Sequence, residues 1–192
     1  MAMMISFDDD AVQLDGRRMR AESPLGAVQL CRVTKCPPDL CKEIHRVCLE
    51  APHYFLSTEG KLPDAKSIKA WFSEDELPLG CTTAHHFVFS ISLDADIIGV
   101  VHVLAACRDP EQATVGLLLL SELHQGHGLG RVVFEMLVTR MREWGMKTCR
   151  IGVVANNTGG LAFWRAMGFE EIGEMAPMDG FLDKTIFMQK RL

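Results

Sequence analysis

The stretch His124-Gln125-Gly126-His127-Gly128-Leu129-Gly130-Arg131 has the residue types and spacing needed to hold a phosphate. It follows the apolar run Val115-Gly116-Leu117-Leu118-Leu119-Leu120 and opens a segment with helical periodicity. A strand, a glycine-rich turn and a helix start leave backbone N–H groups pointing outward, where the helix dipole favours negative charge. Glycines let the backbone take unusual dihedrals and approach a ligand closely. Three nucleotide patterns compete for this turn. A P-loop needs GxxxxGK followed by Ser or Thr, and the chain has no such match. A dinucleotide fingerprint needs GxGxxG near the start of a βαβ unit. Here Gly126, Gly128 and Gly130 are spaced differently and lie past mid-chain. The third pattern, Gln/Arg-x-x-Gly-x-Gly/Ala, fits Gln125 to Gly130. Without further support, a glycine-rich connection of no function also fits.

The elements that position this turn follow from periodicity. Leu129, Val132, Val133, Met136, Leu137, Met141 and Trp144 form one apolar stripe, so Leu129 to Trp144 is a helix ending at Gly145. Thr114 to Leu120 is a strand whose apolar run implies burial on both faces. Upstream, Val28 to Thr34 is a strand. Asp39 caps a helix to about Glu50, with Leu40, Ile44, Val47 and Cys48 on one face. Tyr54 to Pro63 reads as loop, and Asp64 caps a helix from Ala65 to Phe72. His86 to Leu93 and Ile97 to Ala106 make a hairpin around Asp94-Ala95-Asp96. Downstream come a strand Cys149 to Val154, a helix Thr158 to Met167, and closing strands Phe169 to Gly173 and Lys184 to Gln189. The order is β-α-α-β-β-β-α-β-α-β-β.

The length of 192 residues suits one domain with a possible extension. Hydrophobic content is 48% and charged content 23%, enough for a real core. A formal charge of -5 argues against a general nucleic-acid partner. No apolar run reaches membrane-spanning length, and the start MAMMISFDDD lacks the pattern of a signal peptide. Both point to a cytoplasmic protein with no membrane partner. The seven cysteines are odd in number and include no CxxC, so free, mostly buried thiols are expected. Cys36, Cys41, His45 and Cys48 lack the paired short spacings of a zinc site, and no metal is expected.

After the strand ending at Val154 comes Asn156-Asn157-Thr158-Gly159-Gly160-Leu161-Ala162-Phe163-Trp164-Arg165-Ala166-Met167-Gly168-Phe169. With the turn at Gln125 to Gly130, this segment resembles the GNAT family of acetyl-coenzyme A-dependent N-acetyltransferases. That family's pattern is Asn-x-x-Ala-x-x-(Leu/Phe)-(Tyr/Trp)-x-x-x-Gly-Phe. Asn157, Phe163, Trp164, Gly168 and Phe169 match in register, while Gly160 stands where Ala is usual. The resemblance spans about 86–191, and more loosely 28–85. It implies an α+β fold: a twisted, mixed, mostly antiparallel sheet of roughly six to seven strands with about four helices. The fourth and fifth strands would splay apart around coenzyme A. Residues 27–192 would be the acetyltransferase domain and 1–26 an N-terminal extension, either a tail or an added hairpin, with Ser23-Pro24-Leu25-Gly26 turn-like.

The resemblance also implies roles. The backbone of Leu118, Leu119 and Leu120 would pair with the pantetheine arm like an added strand. The N–H groups of Gln125, Gly126, His127, Gly128, Leu129, Gly130 and Arg131 would cradle the pyrophosphate, with Arg131 adding charge or pairing with Glu135. Asn157 would cap its helix and contact the cofactor arm. Trp164 stands where many relatives carry a tyrosine acid, and tryptophan cannot replace it, so packing against the cofactor is its expected role. Glu122 and His124 are the candidate general bases near the acetyl site, either of which could instead be an exposed residue at a strand end. A backbone N–H at a bulge near Leu120 would polarise the thioester carbonyl. The implied reaction moves an acetyl group from acetyl-CoA to a primary amine by direct attack in a ternary complex. A non-catalytic acyl-CoA-binding module is the alternative. The acceptor would be a small molecule or a protein amine, gripped by residues 50–79. His53, Tyr54, Phe55, Glu59, Glu74, Asp75 and Glu76 lie there, and their acidity would suit a cationic acceptor such as a polyamine. The C-terminal strands could support a homodimer.

Overall fold

The computed structural model describes residues 18–73 and 77–192. The acidic run Glu74-Asp75-Glu76 and most of the expected N-terminal extension lie outside the described residues. Eight strands form one sheet: β1 (Arg18–Ser23), β2 (Gly26–Val33), β3 (His86–Leu93), β4 (Asp96–Ala105), β5 (Gln112–Leu120), β6 (Thr148–Val154), β7 (Glu170–Met175) and β8 (Thr185–Arg191). Their spatial order is β1-β2-β3-β4-β5-β6-β8-β7. The helices are α1 (Pro38–Leu49), α2 (Pro52–Thr58), α3 (Ala65–Ala70), α4 (Leu129–Glu143) and α5 (Thr158–Ala166). The architecture is the expected α+β mixed sheet, with one strand and one helix more than the sequence reading gave. The added strand is β1, which pairs antiparallel with β2 from Arg18↔Cys31 to Ser23↔Gly26, on the N-terminal side of the expected boundary at residue 27.

The added helix, α2, corrects the reading of Tyr54 to Pro63 as loop. Pro52 sits at its first position, where a missing N–H costs nothing. Seven residues are too few to show a periodic stripe. The helix survives because Phe55, 2% exposed, inserts into the core beside Ile44, Cys48 and Ile68. Burying such a side chain is worth about 1.5–3 kcal/mol. The start of α3 follows the sequence: Asp64 Oδ1 accepts from the Ser67 N–H at 2.7 Å.

The sheet has two covered faces. On one, α4 and α5 cover Val101, Val103, Val115 and Ile151. On the other, α1, α2 and α3 cover Val88, Val100 and Leu119. The α4 stripe is wider than expected, because Phe134 and Val138 are also buried. Phe134 meets Trp164 edge-on at 5.2 Å and Phe169 at 5.5 Å, so the aromatic residues of the second motif lock α5 to α4.

The cysteines depart from expectation. Cys36–Cys41 and Cys81–Cys107 are disulfides, with Cα–Cα distances of 5.4 and 5.2 Å. The antiparallel β3–β4 pair sets His86 opposite Leu104. That brings the segments leading in and out, which carry Cys81 and Cys107, to the same end of the sheet. This contact was invisible across 26 residues of sequence. Cys31, Cys48 and Cys149 are free. Burial pushes the Cys48 and Cys149 thiols up to about 12, so neither is a ready nucleophile.

Candidate functional site

The sheet opens at its single parallel pair. β5 and β6 pair only from Gln112↔Thr148 to Val115↔Ile151. Beyond that point each strand stays with its outer neighbour. β4 pairs with β5 up to Gly99↔Leu120, and β6 with β8 through Val154↔Thr185. Gly116 is left unpaired between His102↔Leu117 and Val103↔Val115, a bulge that bends β5 away from β6. The bulge is therefore at Gly116, not near Leu120 as the sequence reading had it. The resulting cleft has a volume of about 690 Å³.

Backbone direction decides which leucines face it. The Ser121 N–H donates to Ile98 O at 2.9 Å. Hydrogen-bonded pairs alternate along an antiparallel ladder, so Leu119 also bonds β4, while Leu118 and Leu120 turn their N–H and C=O toward the cleft. Leu119 is thus removed from the expected set: its backbone serves β4 and its side chain packs among α1–α3. The Leu120 carbonyl accepts from Gln125 Nε2 at 2.8 Å. That leaves the Leu120 N–H and both polar groups of Leu118 with no strand opposite them.

The glycine turn forms the next part of the wall. Gly126 and Gly128 have φ of 78° and 81°, the left-handed region, and a Cβ at either would meet open space. Glycine is needed there for backbone conformation, not for room. The Gln125 N–H bonds Glu122 O and the Arg131 N–H bonds Gly128 O. Both are spent within the turn, which corrects their expected place in the cradle. Gly126, His127, Gly128, Leu129 and Gly130 remain, five consecutive N–H groups with no backbone partner among the described residues. Outward N–H groups at the positive end of the α4 dipole are an arrangement that suits an anion. Arg131 lines the cleft, and its guanidinium lies 4.0 Å from the Glu135 carboxylate.

From α5, Asn157 caps its own helix, with Oδ1 accepting from the Gly160 N–H at 2.8 Å. A Cβ on Gly160 would lie 2.6 Å from the Asn157 amide nitrogen. With glycine at the usual alanine position, the Asn157 amide sits over the N–H it caps without having to shift. Trp164 is buried, with Phe163 and Phe169 edge-on at 4.9 and 5.1 Å, and it lines the cleft.

The two candidate bases part company. Glu122 lines the cleft, and its Oε1 accepts from the His53 N–H at 2.9 Å, capping α2. Its own N–H donates to Glu50 O at 2.9 Å. His124 is not part of the cleft wall; its Nδ1 is enclosed without a partner among the described residues. The short 3-10 turn Glu122–His124 sends alternate side chains to different sides, so His124 ends on the Glu50 side. Burial alone would raise the Glu50 carboxyl, but the hydrogen bond from Arg46 at 2.7 Å holds it below its usual range.

His53 and Tyr54, from the segment expected to grip the acceptor, line the cleft from α2. Thr58 of α2 and Met178 and Phe181 of the β7–β8 loop line it too and were not legible as site residues. The Leu182 N–H donates to Thr58 O at 2.8 Å and ties that loop over α2. Burial, then Glu59 and Cys48, push the Tyr54 phenol above its ordinary range, so it stays neutral. The cleft thus runs through the sheet, with backbone donors on the α4–α5 side and side chains from α2 and the loop on the other.

Comparison with known proteins agrees with this geometry. A sequence model of the acetyltransferase (GNAT) family matches residues 44–169. An uncharacterised N-acetyltransferase of Bacillus subtilis (strain 168), YycN, is 28% identical over 110 residues, 56% of this chain and 70% of that protein. The mycothiol acetyltransferase of Jonesia denitrificans is 30% identical over 135 residues, 69% of this chain but 35% of that protein. The crystal structure of an acetyltransferase from Thermus thermophilus superposes with a TM-score of 0.72 at 24% identity, covering 91% of this chain and all 100% of that one. Among the described residues no helix is long and apolar enough to cross a membrane. The family match spans both strands of the open pair, the glycine turn and the aromatic helix, and on that basis the chain belongs to the acetyltransferase (GNAT) family.

Proposed function

We propose that this protein is an N-acetyltransferase that moves an acetyl group from acetyl-CoA to a primary amine, both bound at once. The observation that carries this reading is the open β5–β6 pair with polar backbone on its inner edge and five free N–H groups at its end. A ligand arm bearing amides suits the Leu118 and Leu120 groups, and a pyrophosphate suits Gly126 to Gly130. Arg131 and Asn157 lie beside that path. When bound, acetyl-CoA supplies an acetyl thioester whose thiolate is a workable leaving group, with a thiol pKa of about 8.5.

The chain's own groups then do three things. The N–H of Leu118 or Leu120 points into the cleft and can hold the carbonyl oxygen as it gains charge. The Glu122 carboxylate, with one oxygen on the His53 N–H, keeps its second oxygen for the ammonium proton of the acceptor. Trp164, Phe163 and Phe181 exclude water from the reacting end. His124 has no part in this scheme, because it lies outside the cleft wall. Trp164 donates no proton to the departing sulfur.

The alternative is an acyl-CoA-binding module without turnover, favoured by the Trp164 substitution and by the structural duty of Glu122. Thiol release from acetyl-CoA in the presence of an amine panel separates the two. Amine-dependent, saturable release supports the enzyme. CoA binding with no amine-dependent release in any case supports the module.

A further inference from the structure

Among the described residues that line the cleft, few are charged. Among the described residues that line it, Glu122 is the one carboxylate and Arg131 the one permanent cation, and Arg131 sits on the α4 side. The rest of the acceptor wall is Tyr54, Thr58, Met178, Phe181 and Phe187, with His53 at its rim. Of these, Tyr54 stays neutral in the working pH range. A polyamine carries several positive charges and gains from several carboxylates spaced to match. One carboxylate set among aromatic and thioether groups matches something else: one ammonium next to an apolar body.

Resting on the acetyltransferase reading above, we propose that the acceptor is a monoamine whose amino group sits on a short linker from an aromatic or bulky aliphatic body. The ammonium meets the free oxygen of Glu122. The body lies against Tyr54, Phe181 and Met178. The β7–β8 loop serves as the selectivity wall, because the Leu182 N–H to Thr58 O bond holds it against α2. A free arylalkylamine and a peptide with an apolar first residue share this chemistry. The acetyl transfer balances: the ammonium gives one proton through Glu122 to solvent, the amine nitrogen then bonds the acetyl carbon and releases a second proton, and the thiolate takes up that proton as its C–S bond breaks.

The test uses the full chain with acetyl-CoA and three acceptors: phenethylamine, a tetrapeptide with N-terminal Phe, and spermidine. Thiol release is the readout, and CoA affinity is measured separately by calorimetry. The preferred aromatic acceptor is expected to exceed spermidine in kcat/KM by roughly tenfold or more. Phe181→Ala should raise the KM for that acceptor by roughly tenfold and erode the preference. A second variant, Phe181→Asp, adds a carboxylate and should shift the ratio toward spermidine. Whether phenethylamine or the peptide is better identifies the source of the amine, and either supports the proposal. Preference for spermidine, with CoA binding intact, overturns it and leaves the acetyltransferase reading standing. Absence of CoA binding overturns the acetyltransferase reading instead. If no amine turns over, calorimetry of phenethylamine into the CoA-loaded protein decides, and absence of saturable binding overturns the proposal.

Discussion

The α4–α5 wall of the cleft and the α2 wall are built from different groups. On the first, ligand-facing polarity comes from main chain: the N–H groups of Gly126 to Gly130 and the inner edge of Leu118 and Leu120. On the second the lining is side chain, polar at Tyr54, Thr58 and Glu122 and apolar at Met178 and Phe181. Main-chain recognition needs a particular path, so it leaves a mark in sequence as glycines and small residues at fixed offsets. Side-chain recognition needs only that distant segments meet, so its residue types are free to vary. The first wall suits a constant ligand and the second a variable one.

Three experiments bear on that contrast, and a fourth lies outside both walls. The largest effect is expected within β5. Leu119→Pro removes an N–H that bonds β4 and should destabilise the fold by about 3 kcal/mol or more. Leu118→Pro removes an N–H that faces the cleft, so it should cost far less stability yet weaken CoA binding. Urea unfolding and CoA titration of the pair distinguish the two strand edges, and equal effects would erase the distinction.

Next comes Glu122. Glu122→Gln keeps an acceptor for the His53 N–H but removes the charge, so kcat should fall by roughly a hundredfold or more with little change in Tm. Glu122→Ala should in addition lose the cap, at about 1 kcal/mol. An active Gln variant would reduce Glu122 to a structural residue. Third, Gly128→Val forces a β-branched residue into left-handed backbone, a cost of at least about 1–2 kcal/mol. CoA affinity should drop by at least about tenfold, read by calorimetry, while far-UV circular dichroism stays that of the folded chain.

The smallest effect is a pH dependence away from both walls. Burial, with His86 nearby, pulls His102 down to about 3, and its Nε2 is enclosed without a partner among the described residues. The unfolded chain binds a proton at about pH 6.5 and the folded chain does not. Stability is therefore full above that pH and is lost as pH falls from 6.5 toward 3, by at most about 1.4 kcal/mol per pH unit. His102→Phe should flatten this slope in unfolding curves collected from pH 7 to 4.

The same contrast explains what could be read in advance. The Leu129 stripe, the Asp64 cap and the β3–β4 hairpin are local patterns, and each element lies where its residues predict. The glycine turn was legible because Gly126 and Gly128 answer to backbone dihedrals. The misreadings arose where distant contacts decide. α2 was hidden because seven residues carry no period and Phe55 is held by α1 and α3. The choice between tail and hairpin stayed open because Arg18–Ser23 is charged and half-exposed, and its pairing with β2 is what makes it a strand. Adjacent-position reasoning placed Leu118, Leu119 and Leu120 together, but ladder alternation separates them. His124 and Glu122 are two residues apart and face different surroundings. A sequence shows neither that divergence nor the meeting of Cys81 with Cys107.

Residue-resolved amide hydrogen exchange with and without CoA tests the central claim most directly, that the opened β5–β6 edge and the turn after it hold the cofactor by main chain. CoA should slow exchange at Leu118, Leu120 and Gly126 to Gly130, while Leu119, already bonded to β4, should change little. Protection of Leu119 with none at Leu118 and the glycine turn, or no CoA-dependent change in this region, would contradict it.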